Sequence, residues 1–378
     1  MRRSLPWIAA AALLLSGCQA PARNRAVERL QLIQTLGYDA EGSRVTVSAS
    51  SGHRPGDEPP VLLSARGESI SDAAGKLRGF SPREELFFAH VRFAVMGEDA
   101  ARQGAAPLLD YFERGAQTTL SVPLLVVRNG TAREMVTSSA DPEYEVTAQL
   151  AALRRDTQQR GTARFFTLRE VAARLARSGA ALCCAVKALP CEENVPSARE
   201  GALSLVEAGY AVLKNGALAG FLDPDAALGA DLIMNRAGEA DYVLRVPDGT
   251  ATVALRRCRT RLDVLRDADG AVTLEVTTRA AAGVLDARGA DPGSENTLEL
   301  LGAALGRAMA AQEAAALAAS GEMEADFMEL GLILMNALPP GKRGEALVSE
   351  MGWRVRVEVV VERSYDINGT PAAEGGHG

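Results

Sequence analysis

Pairs in which asparagine or aspartate precedes glycine recur along the chain, and Asn215-Gly216, Asp248-Gly249 and Asp269-Gly270 are among those that stand between runs of strand composition. Such pairs tolerate the positive φ that a two-residue turn demands, so each folds the chain back into an antiparallel hairpin. Residues 210–214 and 217–222 flank the first pair, 242–246 and 251–265 the second, and 272–278 follows the third. A chain punctuated this way is directed toward antiparallel sheets and away from a doubly wound parallel one.

The rest of the chain extends that pattern. Residues 30–36 and 44–50 form a hairpin about the acidic-Gly segment 39–42, and 51–60 is a Gly/Pro loop. A helix is expected over 68–77, a buried aromatic strand over 86–95 with Phe87, Phe88 and Phe93, and a helix over 98–112. Residues 120–127 read as a strand, which Asn129-Gly130 turns into a second strand, 131–136. After a polar linker, 157–162, come an amphipathic helix over 168–177, a strand over 180–189, and a helix that Pro224 opens at its first turn. Ser294 stands ready to cap a helix over 295–319 whose stripe is Leu298, Leu301, Leu305, Ala308 and Met309, with Gly321 ending it. A further helix holds Asp326, Phe327, Leu330 and Ile333 and stops at Pro339-Pro340. Trp353, Val355, Val357, Val359 and Val361 then alternate with polar residues, the mark of a strand with one buried face. The expected fold is α+β: three consecutive domains, 26–156, 163–240 and 241–369, each a largely antiparallel sheet with packed helices. A disordered tail, 370–378, follows.

The chain opens on Met1-Arg2-Arg3, an apolar run over 5–15, and Leu15-Ser16-Gly17-Cys18. Charge, a short apolar stretch and small residues at the cleavage point make an export signal, and the run is too short for a bilayer-spanning helix of about 20 residues. The cysteine after Leu-Ser-Gly identifies a lipoprotein signal, residues 1–17, with Cys18 the lipidation site. Palmitate and a diacylglyceride there give stable membrane anchoring. The short lipidated tether, 18–25, reaches at most about 25 Å beyond its anchor and keeps the folded body near the outer membrane face.

About 360 residues remain after such a leader, enough for two or three cores. The net charge of −7 argues against nucleic acid and against electrostatic docking on anionic lipid, and 4% aromatics argues against base-stacking platforms. Cys183, Cys184, Cys191 and Cys258 lack zinc-site spacing. Disulfides among them are open outside the membrane, and Cys183 and Cys184 read best as small buried strand residues. The three histidines are His53, His90 and His377; only His90, in the aromatic strand near Glu84, Glu85 and Glu98, is placed to act as a base, and a structural role fits it better. No zincin, nucleophile-elbow, phosphate-loop or dinucleotide motif occurs. No catalytic residue, cofactor or metal is assigned, and the chain is expected not to be an enzyme.

Several patches resemble the Ger(x)C family, the lipoprotein C subunits of spore-germination nutrient receptors. Residues 27–39, ending Gly37-Tyr38-Asp39, are similar to that family's opening hairpin. Residues 88–100, with Gly97-Glu98, and then 109–114 resemble its buried strand, turn and following helix. The hairpin over 209–222, Asp326-Phe327-Met328-Glu329-Leu330-Gly331, Pro339, Trp353 and the last strand complete the resemblance. It implies three α+β domains, no catalysis, and assembly with integral-membrane receptor subunits on the outer face of the spore inner membrane. A small-molecule ligand is not expected. Two alternatives have distinct signatures. A lipid-anchored solute-binding protein would show two parallel, doubly wound lobes. An envelope hydrolase would pair His90 with Glu98 or another carboxylate in an open cleft.

Overall fold

The computed structural model describes residues 30–52, 59–81, 85–137, 145–191, 203–266, 271–337, 348 and 351–363. The leader, the tether with Cys18, His53, His377, Pro339-Pro340 and the tail 370–378 lie outside the described residues.

The first half of the chain forms β1 (Leu30–Leu32), β2 (Thr35–Glu41), β3 (Arg44–Ser50), β4 (Leu62–Gly67), α1 (Ile70–Leu77), β5 (Glu85–Phe87), β6 (Phe93–Met96), α2 (Glu98–Gln103), α3 (Ala106–Arg114), β7 (Leu124–Val127), α4 (Ala132–Thr137), α5 (Val146–Arg160) and α6 (Leu168–Ser178). The second half forms β8 (Ala180–Pro190), β9 (Leu203–Lys214), β10 (Ala217–Leu222), α7 (Pro224–Ile233), β11 (Asp241–Val246), β12 (Gly249–Arg266), β13 (Val272–Arg288), α8 (Glu295–Glu322), α9 (Leu330–Ala337) and β14 (Gly352–Glu362). The class is α+β, as expected.

An eight-stranded sheet runs β10-β9-β8-β7-β6-β2-β3-β4 and joins residues on both sides of the expected 156/163 boundary. One arm is the expected hairpin β9–β10, with Asn215 and Gly216 both at positive φ in its turn; the other, β2–β3, is shifted from expectation, since 39–41 belong to strand β2 and 30–32 pair with β5 in a separate two-stranded sheet. Its centre, β2-β6-β7-β8, is parallel, which the hairpin turns did not foretell. Strand composition explains it: β6 (FAVM) and β7 (LLVV) are buried on both faces, as parallel strands between helical layers must be. Cys183 and Cys184 sit buried on β8 as small core residues with free thiols. The second sheet, β11-β12-β13-β14, lies wholly within the expected C-terminal unit; β14 joins it parallel to β13 after α8 and α9.

Several local expectations are corrected. Residues 132–137 are helix α4, not a strand, because the Asp39 carboxylate accepts hydrogen bonds from the Ala132 and Arg133 N–H groups at 2.7 Å each and caps a helix start. The expected linker begins inside α5, which Glu145 caps and Gly161 ends at φ 67°. The aromatic strand divides into β5 and β6, and the 98–112 helix divides at Gly104, whose φ of 124° no helix accommodates. Gly321 does not end α8, which continues to Glu322. Strand β4 was not anticipated.

Helix α8 covers one face of the second sheet through Leu301, Leu305 and Met309, which pack with Val357, Val359 and Val361 of β14. Gly302 lets the helix approach that strand closely: a Cβ there would lie 3.2 Å from the Val359 carbonyl oxygen. Helices α7 and α8 cross at Gly229, where any Cβ would overlap the Gln312 carbonyl oxygen.

Candidate functional site

In sheets with parallel strands, ligands gather outside the strands' carboxyl ends. Here those ends bring together Asp39 from β2, Gly97 and Glu98 after β6, and Asn129 to Thr131 after β7. A surface hollow of about 570 Å³ opens beside them, lined by Asp39, Glu41, Arg66, Asp99, Arg133 and Glu134 among others. Asp39, Gly97, Glu98 and Asp99 among them belong to the patches that carried the family resemblance, so the junction is the natural place to look for chemistry.

Its central groups are already committed. Both Asp39 oxygens bind α4 N–H groups, and Gly97 is obligatory because a Cβ would overlap Asp39 Oδ1. Burial pushes the Asp39 carboxyl up, and the two N–H donors from α4 oppose that rise. Burial also pushes Glu98 up, but the Asn129 N–H at 2.6 Å and the Arg102 guanidinium outweigh it and hold the group below the usual carboxylate range. Gly37 seats β2 against α4, where a Cβ would come 3.1 Å from Val136 Cγ2. The Gly-x-Asp and Gly-Glu motifs therefore join two strand ends to a helix start.

His90 lies exposed on the turn before β6, its ring 5.7 Å from that of Phe87. Glu98 follows the other end of β6, and a four-residue strand separates such ends by roughly 13 Å. The His90–Glu98 form of the hydrolase alternative does not assemble. The solute-binding alternative fails on topology, because the second sheet is largely antiparallel and the first is not divided into two lobes. Among the described residues no cluster of three or more His, Cys, Asp or Glu side chains could hold a metal ion. No described helix is long and apolar enough to cross a membrane.

Buried ionisable groups occur elsewhere, where sequence reasoning missed them. Arg174 of α6 is 3% exposed; it donates to the Phe327 carbonyl oxygen at 3.1 Å and pairs with Glu329 at 3.4 Å, tying α6 to the segment before α9. Three guanidiniums, from Arg164, Arg174 and Arg236, lie 5.1–5.5 Å from the Phe166 ring centre, within cation–π range. Asp231 of α7 accepts the Tyr210 hydroxyl at 2.9 Å, and burial pushes its carboxyl up to about 7 against the lowering effects of Tyr210, Arg236 and Arg164. Glu313 of α8 accepts from Thr278 at 2.5 Å, has a buried second oxygen without a hydrogen-bond partner, and is pushed up to about 7 by burial. The available signal was a charge interrupting an apolar stripe: Glu313 continues Leu301, Leu305 and Met309 at four-residue spacing.

Comparison with known proteins agrees with the resemblance read from the sequence. A family model for the spore germination protein N-terminal domain matches residues 23–188, and one for the spore germination B3/GerAC-like C-terminal domain matches residues 208–365. The "Putative spore germination protein YfkR" of Bacillus subtilis (strain 168) is 23% identical over 267 residues, which cover 69% of this chain. The match spans 64% of that relative's length, just under two thirds. The crystal structure of the GerBC protein shares the fold, with a TM-score of 0.56 at 14% identity over 86% of this chain and 96% of that one. With two successive family models spanning nearly the whole described body, this chain belongs to the spore germination protein family of GerAC type.

Proposed function

We propose that the chain is the lipid-anchored, non-catalytic C subunit of a spore germinant receptor, required for nutrient-triggered germination. It is held by diacylglyceride and palmitate on Cys18 at the outer face of the spore inner membrane. There it assembles with integral-membrane receptor subunits, and its folded body serves as a scaffold. One observation carries the non-catalytic part: the family-signature groups Asp39, Gly97 and Glu98 are spent on joining β2, β6, β7 and α4, so the best-placed hollow holds no uncommitted acid–base pair among them. The sequence Leu15-Ser16-Gly17-Cys18 supports the anchor.

Palmitate labelling of sporulating cells, followed by crosslinking and affinity capture from spore inner membranes, tests both halves. The expected result is labelled chain that loses its label on Cys18→Ala, captured together with polytopic membrane proteins. Unlabelled wild-type chain in the soluble fraction would overturn the anchor. Labelled chain captured without an integral-membrane protein would overturn the assembly.

A further inference from the structure

The net charge of −7 disfavours an anionic surface as partner only if charge is evenly spread, and it is not. Helix α8 covers one face of the β11–β14 sheet, and no described helix packs on the other. On that open face, pairing register stacks side chains in rows across three strands. One row is Asp263, Glu275 and Arg354; the next is Arg261, Thr277 and Arg356; the next is Arg259, Arg279 and Glu358; and Arg257 faces Ala281 and Val360. Arg256, the extra residue of a bulge, lies over Gly283 on the same face.

Seven arginines thus stand with four carboxylates, Asp263, Glu275, Glu358 and Glu362, and with no lysine, while Asp241 and Asp286 lie on the same face at the end nearest β11. The local excess is positive while the chain as a whole is negative. Arg261, Arg279 and Arg257 have partners in Asp263, Glu358 and Glu362 at 2.8, 3.0 and 3.6 Å. Among the described residues Arg259 and Arg354 have no ion-pair partner, and both are exposed. Exposed Val360 (63%) and Leu265 (41%) border the array on the same face.

We infer that this arginine face of the β12–β13–β14 sheet rests on the anionic lipid headgroups of the membrane. Guanidinium forks match phosphate oxygens in bidentate geometry, and an ordered array held on rigid strands suits an extended surface of repeated phosphodiesters. Flanking aliphatic side chains suit the headgroup boundary. The inference extends the lipid-anchor reading, since a short tether keeps the body within reach of that surface. It is tested without the anchor, so the two can fail separately.

The probe is the full chain carrying Cys18→Ser, which cannot be lipidated, titrated against vesicles of equal phosphatidylglycerol and phosphatidylcholine and against pure phosphatidylcholine. The apolar leader can insert into either, so the difference is what is read. Affinity for the anionic vesicles should be at least tenfold higher, should fall to the neutral level in 0.5 M salt, and should drop about tenfold or more in Arg259→Glu/Arg354→Glu. Those two arginines have no ion-pair partner in the fold, so the variant's thermal melt should match the parent; Arg259→Gln/Arg354→Gln, with a smaller loss, covers a folding defect. Equal affinity for both vesicles, or an unchanged anionic preference in the charge-reversed chain, overturns the inference. Charge-dependent binding to polyglutamate without any vesicle preference also overturns it and assigns the face to an acidic protein.

Discussion

Single residues carry much of the architecture, and their roles give sharp expectations. Gly229 is the one residue type that fits where α7 crosses α8, since a Cβ would meet backbone, which cannot rotate away. Gly229→Ala should cost about 2 kcal/mol or more in urea unfolding, with the helix α7 contacts to the second sheet loosened. Asp39→Ala removes the cap of α4 and should cost about 1–2 kcal/mol, read as a lower melting temperature. Glu313 gives a pH dependence of definite sign. Burial pushes its carboxyl up to about 7 in the folded chain, above the ordinary 4.5, so the folded state holds the proton more tightly. Stability is therefore full below pH 4.5 and falls as pH rises through 7. Glu313→Gln keeps an acceptor for Thr278 while removing the titration. It should be more stable than the parent at pH 8 by about 1–3 kcal/mol, with a shallower loss between pH 5 and 8. Asp231, displaced in the same direction, should keep that slope from vanishing. An unchanged pH profile in Glu313→Gln would show that the buried carboxyl is not protonated near neutrality.

At the level of elements, what was legible is what is local. The hairpin at Asn215-Gly216, the amphipathic helix α6 and the proline start of α7 each sit within a few residues of their cause. Helix α4 was misread as a strand because its cap, Asp39, lies 93 residues upstream of Ala132. Helix α5 was missed for a similar reason. Its N-cap Glu145 is held by Ser50, and Thr147 by Thr35, contacts that exist only after β2 and β3 have formed. The parallel middle of the large sheet was invisible because an unbroken apolar run such as β7 states that it is buried, not which strand lies beside it. The α8–β14 seam, by contrast, follows from two periodicities readable separately, the 3.6-residue stripe and the alternating valines. Leu305→Ala, in the middle of that seam, should cost about 2–5 kcal/mol in urea unfolding. A cost below about 1 kcal/mol would mean that α8 does not hold the second sheet.

For the molecule as a whole, the family-signature residues build a scaffold: Gly37, Asp39 and Gly97 fix the junction of strands and helix, and Glu98 secures the neighbouring turn. The sequence made the absence of familiar catalytic motifs legible; the structural partners of Asp39, Gly97 and Glu98 were not, because they come from distant parts of the chain. The asymmetric charge of the second sheet was not legible, because net charge adds all faces together and strand register was needed to sort them. We propose that this chain, anchored through Cys18, is required for spores to answer nutrients. The most direct measurement is dipicolinate release from wild-type, deletion and Cys18→Ala spores, in a strain that retains no other gene of this family. The expected result is that both mutants lose release in response to nutrients while a nutrient-independent trigger still empties the core. Normal nutrient-triggered release from the deletion spores would contradict the account.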